Sequence, residues 1–264
     1  MAKGFNLRRN GAYYAHMVRV DIISDTVCPW CYIGKRRFEQ AVALRPDYEF
    51  QIGWRPFQLN PDMPTSGMPR RDYLKAKFGG VDRADRVYEA VSAAGEDVGF
   101  FFDFRGIPYQ PNTFDSHRLI RWSEFSGVQD AVVEALFRYY FMEELDLGDR
   151  SALVEVAKSC GMDGELVREL FERDADRDLV MAEEGVARRM GINGVPCFVV
   201  DHKFAISGAQ EPSALTHVFD LAMQDRSKDK ISGATAPQAP ANSFTKAKTP
   251  APIEPAWPAA GSDS

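Results

Sequence analysis

The hydrophobic period of this chain changes twice, and no other feature of the sequence restricts its fold as much. Residues 18–24 (VRVDIIS) alternate apolar with polar side chains, the two-residue period of a half-buried strand. A helix is expected from Pro29, since a first helical turn has no use for the N–H that proline lacks. Gly34, Phe38, Ala41 and Val42 give that helix an inward face, and Arg45-Pro46 ends it. Residues 48–57 follow as a second strand, with Phe50, Ile52 and Trp54 on one side. The chain therefore opens β-α-β.

From about residue 60 to 191 the period is helical. Ala84, Val87, Tyr88 and Val91 recur at i, i+3, i+4 and i+7. Val128, Ala131, Val132, Ala135, Leu136 and Tyr139 keep the same spacing, as do Leu153, Val156, Ala157 and Cys160. Leu179, Ala182, Val186 and Met190 mark the apolar face of a last long helix. A block this long is large enough for a core of its own. Period two then returns in residues 196–200 and 203–207, a β-hairpin with Asp201-His202 as a two-residue turn. Gly208 breaks the second strand, and Pro212 opens a final helix whose apolar face is Leu215, Val218, Phe219 and Ala222. Neither half has enough strands to bury a sheet face alone, so the strands flanking the insertion are expected in one sheet. The predicted class is α/β with a large all-helical insertion domain: residues 17–59 and 192–224 form the sheet domain, and 60–191 the insertion.

Residues 1–16 carry Lys3, Arg8 and Arg9 and no acid, a faint likeness to a transit peptide, but lack the apolar run of a secretory signal. They read more simply as an extension before Met17. Residues 225–264 hold Pro237, Pro240, Pro250, Pro252, Pro255 and Pro258 among Ala, Ser and Thr, and are expected to form a disordered Pro/Ala-rich tail. With 32 Lys+Arg against 38 Asp+Glu, the net charge of −6 argues against nucleic acid or a membrane surface as partner. No run approaches the ~18 apolar residues of a membrane span. Without an export signal the expected compartment is the cytoplasm, where a cysteine pair is more often catalytic or metal-binding than structural.

Cys28-Pro29-Trp30-Cys31 stands where the first strand gives way to the first helix. A helix begun at Pro29 puts Cys28 at its N-terminus, where unpaired N–H groups and the positive end of the dipole favour a thiolate. A thiol of pKa ~8.5 is only about 3% ionised at neutral pH, whereas one near ~6 is about 90% ionised. The thiolate is the species that attacks disulfides. Cys31, about one turn further on, should face inward and keep its proton longer. Cys28 is then the expected attacker, with Cys31 resolving the mixed disulfide. A structural zinc site and two inert buried thiols are the alternatives. Zinc needs about four ligands, however, and Cys160 and Cys197 lie far off without a second Cys-x-x-Cys. Pro196, after Val195, sits at a strand entrance, where either a cis bond or an ordinary loop proline would serve. A cis bond would turn backbone groups outward, where an extended substrate can pair with them.

Ser24-Asp-x-Val-Cys-Pro-Trp-Cys-Tyr-Ile-Gly34, Asn112-Thr-Phe-Asp-Ser-His117, Gly194-Val-Pro-Cys-Phe198 and Ser207-Gly-Ala-Gln210 occur in this order. Together, over about residues 17–224, they resemble the DsbA-like thioredoxin superfamily. Within it they are most similar to FrnE-type dithiol–disulfide oxidoreductases, relatives of kappa-class glutathione transferases and 2-hydroxychromene-2-carboxylate isomerases. The resemblance implies a thioredoxin-like fold with a helical insertion, Cys28 as nucleophile, Cys31 as resolver and Pro196 as a cis-proline. It places Pro29, Trp30, Val195, Pro196, His117, Gly208 and Gln210 near the substrate, the last two where the γ-glutamyl part of glutathione would rest. By sequence alone His117 reads equally as an ordinary helix histidine, and Gly208–Gln210 as a helix cap. The implied partner is a disulfide-bearing protein or small molecule, with no tightly bound cofactor, no metal, and glutathione admitted as a co-substrate. Cys197 departs from the usual aromatic or aliphatic residue after the proline. It is read as core, with a third redox thiol as the alternative; Cys160 is read as core.

Three functions compete at this level. A thiol–disulfide oxidoreductase or isomerase uses both cysteines. A glutathione-dependent isomerase or transferase uses the same pocket but leaves Cys31 without a task. A thioredoxin-like binding module requires an unreactive Cys28. The insertion is expected to wall the site, with Trp30, Phe57 and residues 100–104 as lining.

Overall fold

The computed structural model describes residues 17–231. Strand β1 (Met17–Ser24) is the hub of its sheet. It pairs in parallel with β2 (Glu49–Pro56) on one side and antiparallel with β5 (Cys197–Val200) on the other, and β6 (Phe204–Ser207) completes the order β2-β1-β5-β6. The strands before and after the insertion thus share one sheet. A parallel β1–β2 pair needs a crossover, and helix α1 (Pro29–Ala43) provides it.

Alternation along the strands sends side chains to two different cores. Val18, Val20, Ile22, Phe198 and Val200 meet α1 and the last helix, α9 (Pro212–Ile231), where Phe38 stacks on Phe198 at 5.7 Å and Phe219 meets Phe50 edge-on at 4.9 Å. Ile23, Cys197 and Val199 face the other way, packing with Phe57, Ala187 and Ile192.

Between β2 and β5 run α2 (Arg70–Phe78), α3 (Val81–Glu96), α4 (Phe114–Phe125), α5 (Gln129–Met142), α6 (Arg150–Ser159), α7 (Gly164–Glu172) and α8 (Arg177–Arg189). The stretch is not wholly helical: β3 (Met68–Pro69) and β4 (Tyr109–Gln110) form a short antiparallel ribbon, too short to leave a period in the sequence. Nor does the insertion keep a core to itself. Val132, Leu136, Phe137 and Leu153 belong to the same apolar cluster as Val18, Ile22 and Phe38. The joint is Tyr32 of α1, stacked on Phe100 (3.9 Å between centroids) and Phe137 (4.9 Å).

Several expected faces are turned. On α8, Leu179, Ala182, Val186 and Met190 are exposed, while Val180, Glu184 and Ala187 are buried. The cause is polar: Gln58 N–H donates to Glu184 Oε1 (3.0 Å), and Arg188 donates to Gln58 C=O (2.8 Å) from above the Phe57 ring. Val87 and Ala131 are exposed, and Ile52 is open because β2 is an edge strand. In the hairpin, Asp201 and His202 both take left-handed backbone angles and Lys203 N–H closes on Val200 C=O. Val200 nevertheless pairs with Phe204, so the loop has a third residue. Helix α9 continues to Ile231, across the expected boundary at 225. The N-terminal extension and residues 232–264 of the expected tail lie outside the described residues.

Candidate active site

The Cys-x-x-Cys pair sits at the β1–α1 junction. Cys28 N–H donates to Asp25 C=O (3.0 Å), closing the turn that leaves β1. Cys28 is the N-cap of α1 in extended conformation, with Pro29 in the first helical turn, and its carbonyl accepts from Cys31 N–H (3.0 Å) and Tyr32 N–H (3.4 Å). The amide contacts anticipated for its sulfur are not made. In this structure both cysteines are free thiols, and Cys28 Sγ–H points instead at Val195 C=O, 3.7 Å away. A protonated sulfur is a weak donor, so it turns to an acceptor.

The two sulfurs differ in surroundings. Cys28 keeps a small opening to solvent (4%) beside the exposed indole of Trp30 and the half-buried Pro29, whereas Cys31 is 1% exposed. Burial pushes the Cys31 thiol well above its ordinary value, and hydrogen bonding to Cys28 and the charge of Cys28 add to this. The Asp25 backbone and the Ser24 side chain offset part of it.

Opposite lies the Val195–Pro196 bond, which is cis, with Pro196 buried and Val195 half-buried. Gly34 lets α1 come against this proline, because a Cβ there would stand 2.8 Å from Pro196 Cγ. Gly208 N–H donates to Pro196 C=O (2.7 Å), and Arg37 donates to Ala209 C=O (2.6 Å), so the Ser207–Gln210 stretch is tied to the back of the proline segment. The exposed Gln210 folds its amide onto Ser207 C=O (2.8 Å).

His117 is not at the surface. It is 3% exposed, with Nε2 3.5 Å from Oδ1 of the fully buried Asp25. Thr113 is the N-cap of its helix and makes no side-chain cap bond, while Asn112 Oδ1, one residue earlier, accepts from Phe114 N–H (2.9 Å). Phe57 is 2% exposed in the core under α8, Phe100 is stacked on Tyr32, and Phe101 is exposed. Cys197 is core, 1% exposed with Ser207 Oγ 3.8 Å from its sulfur, and burial raises its thiol. Cys160, expected inside, is half-buried at the C-cap of α6. Among the described residues no group of three or more His, Cys, Asp or Glu lies close enough to hold a metal ion.

Sequence reasoning assigned no role to Asp25, although its spacing three residues before Cys28 was visible. It also missed the buried Arg70, whose guanidinium reaches Tyr88 Oη (2.7 Å), Tyr140 Oη (3.3 Å) and Gln110, and which had no local signal. Lys35 is likewise held inside, by Asp130 (3.1 Å), Glu134 (3.0 Å) and Glu39.

Residues 19–220 match the model of the DSBA-like thioredoxin domain. A crystal structure of a probable DsbA oxidoreductase from Streptomyces coelicolor is 32% identical, with a TM-score of 0.72, covering 85% of this chain and 94% of that one. A solved 2-hydroxychromene-2-carboxylate isomerase shares the fold at 16% identity and a TM-score of 0.58, over 83% of this chain and 100% of its own. An uncharacterized protein of Bacillus subtilis strain 168, YwbO, is 24% identical over 214 residues, 81% of this chain and 99% of that protein.

Proposed function

The chain belongs to the DSBA-like thioredoxin domain family, and on that premise we propose that it is a thiol–disulfide oxidoreductase or isomerase of the FrnE-type branch. The observation that carries this reading is the unequal setting of the two thiols: Cys28 at the rim, heading a helix, and Cys31 buried one turn inside. Ionised Cys28 attacks one sulfur of a substrate disulfide. The substrate S–S bond breaks, a Cys28–substrate S–S bond forms, and the departing sulfur leaves as a thiolate that takes up a proton. Cys31 then loses its proton and attacks Cys28 Sγ, forming the Cys28–Cys31 disulfide and releasing the second substrate sulfur. Two electrons pass to the substrate, and a thiol reductant returns them. Cytoplasmic glutathione fits that co-substrate role, with the Gly208–Gln210 stretch near the proline segment as its resting place. The substrate is a protein or small molecule bearing a disulfide.

A glutathione-dependent isomerase would leave Cys31 idle, and this separates the two readings. Cys31→Ser should retain the first attack, accumulate a mixed disulfide at Cys28 visible by mass spectrometry, and lose dithiol turnover. Cys28→Ser should lose about a thousandfold or more of turnover. Wild-type dithiol turnover in Cys31→Ser would overturn the reading.

A further inference from the structure

We propose that Arg70, Tyr88 and Lys77 form an anion-receiving wall beside the dithiol, and that the substrate is a small disulfide whose chains carry carboxylates. The inference rests on the dithiol reading above and names the substrate chemistry of that same site.

Arg70 is 7% exposed, and a cation taken out of water is costly to keep unless it is paired. Among the described residues, every other lysine or arginine that is buried or half-buried has a carboxylate oxygen within 4.0 Å. Arg70 has none, and its buried Nε has no hydrogen-bond partner. Its surroundings are neutral instead. Nη2 donates to Tyr88 Oη (2.7 Å), and Nη1 donates to Tyr140 Oη (3.3 Å) and to Gln110. The guanidinium lies 5.4 Å from the centre of the Tyr73 ring and 5.5 Å from that of Tyr88. Dipoles and ring faces reduce the cost of the charge without cancelling it.

Two turns further along α2, the exposed Lys77 repeats the pattern. It meets no carboxylate among the described residues; Nζ donates to Tyr73 Oη (2.6 Å) and stands 5.1 Å from that ring. Arg70, Tyr73 and Lys77, spaced i, i+3 and i+7, thus give one face of α2 an uncompensated positive charge in a chain whose net charge is −6.

This face is joined to the dithiol turn. Tyr73 Oη and Lys77 Nζ both meet Asn60 Oδ1 at 3.5 Å, and the preceding Leu59 N–H donates to Asp25 Oδ2 (2.7 Å). Asp25 C=O in turn accepts from Cys28 N–H (3.0 Å). On the other side α3, which carries Tyr88, packs against α1. Burial raises the Tyr88 phenol, Arg70 works against this, and the charge of Cys28 adds to it, so the phenol stands within electrostatic reach of the leading sulfur. Tyr88 Oη accepts from Arg70, and among the described residues its own proton has no acceptor. A carboxylate that takes this proton as a hydrogen bond sits in front of the Arg70 charge, and the bond is charge-assisted. The carboxylate does not react. It fixes where the sulfur beside it falls relative to Cys28.

The test measures kcat/KM with dithiothreitol as reductant for three small disulfides, each relative to dithiothreitol alone. They are 3,3′-dithiodipropionate, with an acid at each end, neutral 2-hydroxyethyl disulfide, and cystamine, with an amine at each end. The wild-type protein should favour the dicarboxylate over the neutral disulfide about tenfold or more, and should take cystamine least. Arg70→Met should remove most of that preference by raising KM for the dicarboxylate, and Arg70→Lys should keep part of it. Lys77→Met and Tyr88→Phe should each reduce it about threefold. A purely structural Arg70 would instead lower turnover of all three disulfides alike. Should Arg70→Met fail to fold, Tyr88→Phe and the exposed Lys77→Met carry the test. A wild-type protein without preference for the dicarboxylate overturns the proposal, as does a preference that survives in folded Arg70→Met or in both of the other variants. Absence of turnover with all three disulfides would sink the dithiol reading itself.

Discussion

His117 and Arg118 are consecutive residues of α4, almost equally buried, and opposite in how their polar atoms are met. Arg118 is fully enclosed and engaged through each of its nitrogens: Nε donates to Ala175 C=O (2.8 Å), Nη1 to Asp115 (2.7 Å) and Nη2 to Leu170 C=O (2.9 Å), with the rings of Trp122 and Phe171 near its guanidinium. Arg150 shares Asp115, which draws α6 into the same knot. His117 faces the dithiol turn and leaves Nε2 without a bond. A buried cation with every nitrogen engaged ties elements together, whereas a buried imidazole left without a hydrogen bond stores little stability. One turn of α4 thus ties helices together on one side and meets the dithiol turn on the other.

The comparison is most exposed at Arg118. Arg118→Met strips donors from two buried carbonyls and a carboxylate, and should cost about 3–5 kcal/mol in urea unfolding. Dithiol turnover of the folded variant should keep its wild-type rate. A loss under ~1 kcal/mol in stability, or a slowed turnover, would erase the distinction between the two residues.

Gly34→Ala probes the chemical side by packing alone. Its Cβ would press on the Pro196 ring, so the variant should lose about 1–3 kcal/mol. The Val195 carbonyl that meets Cys28 should shift with the ring, altering dithiol turnover, whereas Arg118→Met should not.

Glu134, a half-buried carboxylate ion-paired to Lys35 and Arg36, extends the comparison under titration. Burial alone would raise its carboxyl, but Lys35 and then Arg36 outweigh burial, and hydrogen bonds from Arg36 and Tyr32 help hold it below its ordinary value of 4.5. A depressed folded-state value means that the stabilisation is present above the unfolded value and is lost as acid carries the pH down through the folded one. Glu134→Gln should therefore cost about 1–2 kcal/mol near neutrality, and the gap between the two urea midpoints should close progressively below pH 4.5. A gap that persists unchanged in acid would refute the charge assignment.

The smallest effect is expected on the outer side of α8, where Val186→Ser should change stability by no more than about 0.5 kcal/mol. A larger loss on unfolding would mean that this exposed side chain is held by something other than its own helix.

Much of this was legible because it was local. Pro29 announced the start of α1, alternation marked β1 and β5, and together they put Cys28 at a strand–helix junction. The orientation of α8 was not legible. Leu179, Ala182, Val186 and Met190 form the more apolar stripe, yet Glu184 and Arg188 bind the Gln58 backbone and turn that stripe outward. The β3–β4 ribbon has too few residues for a period, and Ile52 is open because its strand has a neighbour on one side only. At the site, the Ser24–Gly34 motif pointed to Cys28 and Cys31, but nothing local showed that His117 is buried against Asp25 of the turn. Ser116 and Thr26, 90 residues apart, set that position.

By itself the sequence determined the order of the main elements, the place of the dithiol and which cysteine heads the helix, since these follow from hydrogen bonding and side-chain period within a few neighbouring residues. Only the tertiary structure decided which face of α8 is buried, that the sheet and the helices share one core, and that a histidine from the insertion meets the aspartate of the turn that leads into the dithiol. Such pairings depend on which distant groups remain unsatisfied once packing has excluded water.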